Sequence, residues 1–407
     1  MPSPPSTPDC ALAEIERQHL TRVRRTVEGF GDGADTAHVV VEGRRVVNFC
    51  GNDYLGLARD PRVAAALRAA SEVWGVGSGA SHLVTGHGRE HAALEEELAQ
   101  FVRRERALLL STGYMANLAA ISALAASGDL VLLDRLSHAS LIDAALLSRA
   151  RLRRYAHASA AAAERLLAVH AAGADGGRGR TVIATDGVFS MDGDLAPLAE
   201  LARLAHARGA SLLLDDAHGL GVLGACGRGS LEHCGILDAG AVALLVGTLG
   251  KAFGTFGAFV AGARELIELI IQRGRSYIYT TALPPALAAA TRTALALAQA
   301  ESWRRERVLA LAARFRRAAE QCALPLAPSD TPIQPVVLGT AEAALAASRR
   351  LLECGFWVAA IRPPTVPQGS ARLRITLSAA HREAEVDALI EALALALRGL
   401  TAAPAAS

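Results

Sequence analysis

The chain has 407 residues, room for more than one domain around a sizeable core. Its 42 basic and 40 acidic residues leave a net charge of +2, with no long block of either sign, which argues against a nucleic-acid partner. The six cysteines, Cys10, Cys50, Cys226, Cys234, Cys322 and Cys354, show neither a CxxC nor a paired Cys/His spacing, so no metal site is expected and reduced thiols in a cytoplasmic protein are the simplest reading.

The Pro- and Ser-rich start lacks the basic and apolar regions of a secretory signal and reads as a frayed tail. A charged helix is predicted over 11–25, then a hairpin with strands over 39–41 and 45–49 around Glu42-Gly43. The turn Asn52-Asp53-Tyr54-Leu55-Gly56-Leu57 leads into a helix that Pro61 opens. Residues 75–88 hold five glycines, too many for a regular element, and read as a functional loop.

Regular alternation follows, with helices over 91–101, 114–125, 140–147 and 197–208 and strands over 107–110, 130–134, 181–185, 211–215 and 241–246. Residues 107–127 are uncharged and about as long as a membrane span, but Ser111-Thr112-Gly113, Asn117 and Ser122 interrupt them, so a strand followed by a helix fits better and no membrane partner is expected. Beyond Pro284-Pro285 the composition changes to long Ala/Leu/Arg helices over 286–322, then a strand over 334–338 and a half-buried strand over 372–377. The fold class is therefore α/β, with a mostly parallel sheet covered on both faces and a smaller C-terminal α+β domain. The expected divisions are an N-terminal segment 1–57, a large α/β domain 58–285 and a small domain 286–407.

Ligands on such sheets sit at the carboxyl ends of the strands. That rule gathers Ser111-Thr112-Gly113-Tyr114, the segment 134–140, the segment 186–194, Asp215-Asp216-Ala217-His218 and Thr248-Leu249-Gly250-Lys251. A lysine at the mouth of an apolar strand can have its pKa lowered enough to form a Schiff base with a carbonyl. An aldehyde cofactor with a pyridine ring and a phosphate would suit Lys251, provided a carboxylate faces the ring nitrogen. Asp215, at the end of Leu212-Leu213-Leu214, is placed for that, and His218 for the ring's phenolic oxygen. Gly113 and Tyr114 at a helix start offer N–H groups to the phosphate, with hydroxyls from Thr248 and Ser190, and His138 is placed to stack on the ring.

These residues resemble the α-oxoamine synthases, pyridoxal 5′-phosphate enzymes of the aspartate-aminotransferase fold (fold type I). The likeness rests on Asn52-Asp53-Tyr54-Leu55-Gly56-Leu57, Gly77-Ser78-Gly79, Ser137-His138-Ala139-Ser140, Val188-Phe189-Ser190-Met191-Asp192-Gly193, Asp215-Asp216-Ala217-His218-Gly219 and Thr248-x-x-Lys251, and it covers nearly the whole chain. It implies that Lys251 bonds the cofactor, with Asp215 at the pyridine nitrogen, His218 at the phenolic oxygen, His138 on the ring, and Gly113, Tyr114, Thr248 and Ser190 around it. It also implies a homodimer in which Thr280 and Thr281 of one subunit reach the phosphate of the other.

The run Ile361-Arg362-Pro363-Pro364-Thr365, with Arg372-Leu373-Arg374 after it, resembles the branch that joins L-alanine to a pimeloyl thioester of coenzyme A or of an acyl-carrier protein. Two prolines after Arg362 fix an extended backbone and hold its guanidinium where it can fork onto the amino acid's carboxylate. Thr365, Arg22 and Asn52 are the other expected substrate contacts, and freed Lys251 is the expected base at Cα. The alternatives are a sister reaction of glycine with acetyl-CoA and, in another class, a non-catalytic subunit. The presence of Lys251, Asp215, His218 and His138 together speaks against the latter.

Overall fold

The computed structural model describes residues 7–33, 35–172, 179–236 and 238–400. They fall into two compact units, one formed by Asp53–Ser190 with Asp194–Glu306, the other by the described residues up to Asn52, Met191–Gly193 and those from Arg307 on.

The larger unit is built on a seven-stranded sheet, in spatial order Arg106–Leu110, Ala258–Gly262, Leu244–Thr248, Ser211–Asp215, Thr181–Asp186, Leu130–Asp134 and Arg151–Tyr155. The last five run parallel, and Ala258–Gly262 is antiparallel to both of its neighbours. Strands such as Leu130–Asp134 are buried at every position, which is why they read as unbroken apolar runs. On one face Leu108, Val131, Val182, Leu213 and Val246 pack against Ala116, Ala120 and Ile121 of the helix Gly113–Leu124 and against Leu141 and Ala145 of Ala139–Leu147. Most buried positions of Gly113–Leu124 are alanine (Ala116, Ala119, Ala120 and Ala123), which lets that helix lie close to the sheet.

Several predicted elements shift. The expected strand over 241–246 is Leu244–Thr248, preceded by a short 3₁₀ turn over Ala239–Ala241. The helices expected over 286–322 are two, Pro285–Ala300 and Trp303–Gln321. Between them Arg304 ties Glu301 to Asp60, its guanidinium 2.7 Å and 3.0 Å from the two carboxylates. Within 75–88, residues His82–Gly86 wind into a short π-helix.

In the other unit, the first helix is Pro8–Arg17, shorter than the 11–25 expected, because His19 takes a positive φ of 54° and ends it. The predicted hairpin forms from His38–Val41 and Arg44–Asn48, with Val39, Val41 and Val46 packed against Leu352 and Trp357. A separate antiparallel sheet joins Ile333–Gly339, Ala371–Thr376 and Ala359–Ile361. Among the described residues, no helix is long and apolar enough to cross a membrane.

Candidate active site

Lys251 follows the strand Leu244–Thr248, whose neighbour in the sheet ends in Asp215. It is half-buried, and it is the sole lysine of the chain: every other member of the Lys and Arg set is arginine. Arginine holds its proton too tightly to serve as an amine nucleophile or base, so a chain that carries its other cationic side chains on guanidinium keeps one amine, at a sheet end.

Asp215 is 6% exposed. One carboxylate oxygen accepts the Ala217 N–H at 3.0 Å, and the other accepts from the Asn117 side-chain amide at 2.6 Å. Asn117, fully buried on the helix Gly113–Leu124, also donates to Ser140 Oγ at 2.8 Å, and Ser140 Oγ lies 2.7 Å from His138 Nδ1. His138 caps the helix Ala139–Leu147, its backbone N–H donates to Asp186 at 3.1 Å, and the residue as a whole is exposed. Loss of hydration on its covered edge lowers the pKa of His138; the Asp215 charge opposes this and the Lys251 charge adds to it. Burial pushes Asp186 well above the usual carboxylate range, with the Asp215 charge in support and the His138 N–H pulling the other way.

His218 Nδ1 is 2.8 Å from the Tyr54 hydroxyl, and both residues are buried. The turn that carries Asp215 and His218 is anchored from below by Asp216, which accepts the Ser230 N–H at 2.7 Å and is driven by burial to a pKa of about 7. Glycines make room for it: a Cβ at Gly219 would fall 2.1 Å from that carboxylate and one at Gly229 1.9 Å from it.

At the other side of the site, Thr112 caps the helix Gly113–Leu124 by accepting the Met115 N–H at 3.2 Å. The N–H groups of Gly113 and Tyr114 remain first-turn donors at the positive end of the helix. A Cβ at Gly113 would stand 2.7 Å from Thr248 Cγ2, so the helix start and the Thr248 turn close on each other only because that position is glycine. Tyr114 is exposed, with its hydroxyl hydrogen-bonded to Asp143, and Thr248 Oγ1 lies 3.4 Å from the Ala217 carbonyl. Ser190 is half-buried beside Phe189, whose N–H donates to the Asp194 carbonyl at 3.0 Å. Thr281 pairs with Ser81 in an isolated antiparallel bridge, next to exposed Tyr279.

These groups fit a flat, phosphorylated pyridine. A buried carboxylate held by an amide and a backbone N–H suits a ring N–H, an exposed imidazole suits a ring face, and a helix start with adjoining threonine suits a phosphate. The strand ends and helix starts of the larger unit carry Lys251, Asp215, His218, His138, Gly113, Tyr114 and Thr248, and Ser190 lies in the same unit, in the segment that follows the strand Thr181–Asp186. Asn117, Ser140 and Tyr54 join them as hydrogen-bond partners that the sequence reading did not single out as site residues.

Arg22, Asn52, Arg362 and Thr365 belong to the other unit. Arg22, Arg362 and Thr365 line one groove of about 270 Å³, together with Leu20, Val23, Ala360, Ile361 and Pro363. The Arg362 guanidinium donates to the carbonyls of His19 and Thr21, the latter at 3.0 Å. Burial and the like charge of Arg22 lower its pKa, the environment of a pair of cations that calls for an anion. Asn52 Oδ1 accepts from Arg374 at 3.2 Å.

The aminotransferase class I and II family model matches residues 44–393. The 8-amino-7-oxononanoate synthase of Methylococcus capsulatus is 59% identical, over 95% of this chain and 97% of that protein. Among solved structures, a serine palmitoyltransferase variant from S. paucimobilis, bound to an adduct of pyridoxal phosphate and myriocin, superposes with a TM-score of 0.88 at 30% identity, over 95% of this chain and 96% of that one. The 8-amino-7-oxononanoate synthase of Francisella tularensis superposes with a TM-score of 0.74 at 31% identity, over 87% and 98%.

Proposed function

This chain belongs to the class I and II aminotransferase family and, within it, to the 8-amino-7-oxononanoate synthases; from that premise we propose how its own residues carry the reaction. The reaction is the decarboxylative condensation of L-alanine with a pimeloyl thioester, a step of biotin biosynthesis. A C–C bond forms between alanine Cα and the thioester carbonyl carbon, the thiol leaves, and the alanine carboxyl departs as CO2. Bound pyridoxal 5′-phosphate supplies the electron sink that makes the α-carbon of an amino acid acidic.

Lys251 holds the cofactor through its amine and, once alanine takes its place, removes the Cα proton as general base. Asp215 accepts the ring N–H, held in place by Asn117 and the Ala217 N–H. His218, steadied by Tyr54, faces the phenolic oxygen, and His138 covers the ring. The Gly113 and Tyr114 N–H groups, with Thr248 and Ser190, receive the phosphate. Arg362, with Arg22 and Thr365 beside it in the same groove, takes the carboxylate of the amino acid, and Asn52 contributes a further polar contact to substrate.

The protein works as a homodimer in which Thr280 and Thr281 complete the phosphate site of the second copy. Supporting this, the surface around them displays Tyr279, Leu83, Val84 and Val76, at 72, 50, 74 and 89% exposure, a large apolar area for one subunit to leave bare. The acyl donor is pimeloyl-CoA or pimeloyl-acyl-carrier protein.

The observation that carries the reading is the one lysine of the chain, set at a sheet end beside Asp215, with His138 and Asp186 close enough to sense its charge. With L-alanine and pimeloyl-CoA, the cofactor-loaded protein is expected to release thiol and CO2 in equal amounts, and Lys251→Ala neither. Near-normal turnover by Lys251→Ala would overturn the assignment. Turnover of glycine with acetyl-CoA in place of these substrates would move the protein to the sister reaction.

A further inference from the structure

Three hydrogen bonds connect Asp215 to His138, and each fixes the direction of the next. A carboxylate only accepts, so the Asn117 amide must present its NH2 to Asp215, at 2.6 Å. The second hydrogen of that nitrogen points to Ser140 Oγ, 2.8 Å away, which makes the serine oxygen an acceptor there. The hydroxyl hydrogen of Ser140 is then left for His138 Nδ1, at 2.7 Å. A second donor reaches the same ring nitrogen, the Ser140 backbone N–H at 3.3 Å, because the imidazole is the capping acceptor of the helix Ala139–Leu147. A ring nitrogen that accepts twice carries no hydrogen, so the hydrogen of the neutral ring sits on Nε2. The positive end of the helix also disfavours an imidazolium at the cap.

We propose that Asn117 and Ser140 are positioning residues that lock His138 as the neutral Nε2–H tautomer, so that the ring meets the reaction uncharged and with its donor on Nε2. The charged groups around it are few. Asp215 favours an imidazolium, Lys251 opposes one, and Asp186, which accepts the His138 backbone N–H, is itself driven toward its neutral acid by burial. With charges on both sides of the balance, the direction of the relay decides the ring's state. A single change reverses it: Asn117→Asp offers Ser140 an acceptor, its hydroxyl hydrogen turns away, and His138 Nδ1 becomes the donor.

The test is the 15N spectrum of histidine side chains in protein labelled at histidine, with His138→Gln identifying the His138 signals, recorded with and without pyridoxal phosphate across the neutral pH range. The wild type is expected to show a neutral ring with its hydrogen on Nε2 throughout. Ser140→Ala should mix the tautomers and let the ring take up a proton at higher pH, Asn117→Asp should move the hydrogen to Nδ1, and Ser140→Thr should restore the wild-type pattern. A wild-type hydrogen on Nδ1, or wild-type signals retained in both Ser140→Ala and Asn117→Asp, would overturn the proposal. The wild-type spectrum decides even where a variant fails to fold, and since no turnover is read, the result stands apart from the reaction assigned above.

Discussion

Two histidines at the carboxyl ends of neighbouring strands have opposite fates. His138 lies beyond Leu130–Asp134, receives donors on its Nδ1, and is held below its ordinary pKa. His157 follows the edge strand Arg151–Tyr155, with Asp134 3.0 Å from one ring nitrogen and Asp194 2.8 Å from the other. Burial opposes its charge, but those two carboxylates outweigh it and raise its pKa to about 10. The Phe189 ring packs edge-on against it, 4.5 Å between centroids, so the clip also steadies the segment that pairs Val188 with Leu195. The difference shows that burial disfavours the charge on both rings, and that the two bonded carboxylates at His157 overturn it where the single Asp215 charge near His138 does not. On the function proposed above, it also divides the sheet end into a corner for the chemistry and a corner that holds the chain in place.

If that division is right, changes around His138 should cost turnover and leave stability nearly intact, while changes around His157 should do the reverse. The largest effect belongs to Lys251→Ala, which should lower product formation about a thousand-fold or more while the denaturation midpoint stays close to wild type. Asp215→Asn should follow at roughly a hundred-fold in kcat, since the electrostatic support at the ring nitrogen is lost while the shape is kept. A large fall in stability in either variant would break the comparison from the chemical side.

His157→Gln tests the other corner and should destabilise the protein by about 2 kcal/mol at mildly acidic pH, the scale of hydrogen bonds to charged partners. The sign follows from the raised pKa. The stabilisation by the imidazolium is complete below its ordinary value of 6.5 and is lost as pH rises through about 10. Urea denaturation of both proteins at several pH values should therefore show a gap that closes as pH rises; a gap that widens would contradict the clip. The smallest effect is expected from Gly113→Ala, where the Cβ meets Thr248 and must push the turn aside, costing about 1 kcal/mol in cofactor affinity by fluorescence titration and little in fold stability.

Much of the candidate site is legible in the sequence, because the proposed chemistry demands particular residue types at strand ends. Lys251, Asp215, His218 and His138 could be picked out by that logic, and a count of lysines alone would have singled out the first. Asn117 and Ser140 could not be given their roles. Asn117 is 98 residues from Asp215, and in the sequence it only interrupts an apolar run. The strand Arg151–Tyr155 was hidden because it is an edge strand whose RLRRY sequence is mostly exposed, with no alternation to betray it. Ala258–Gly262 was hidden behind the glycine-rich turn that carries Lys251, and the Ala- and Arg-rich stretch that reads as helices carries no turn signal to place their break at 301–302.

The central claim is that Lys251 bonds the cofactor. It is tested most directly by borohydride reduction of the protein loaded with pyridoxal phosphate, followed by mass analysis of its peptides. With no other lysine in the chain, one pyridoxyl group is predicted on the peptide containing Lys251, and none on any peptide of Lys251→Ala. An unmodified Lys251 peptide from protein saturated with cofactor would contradict the account.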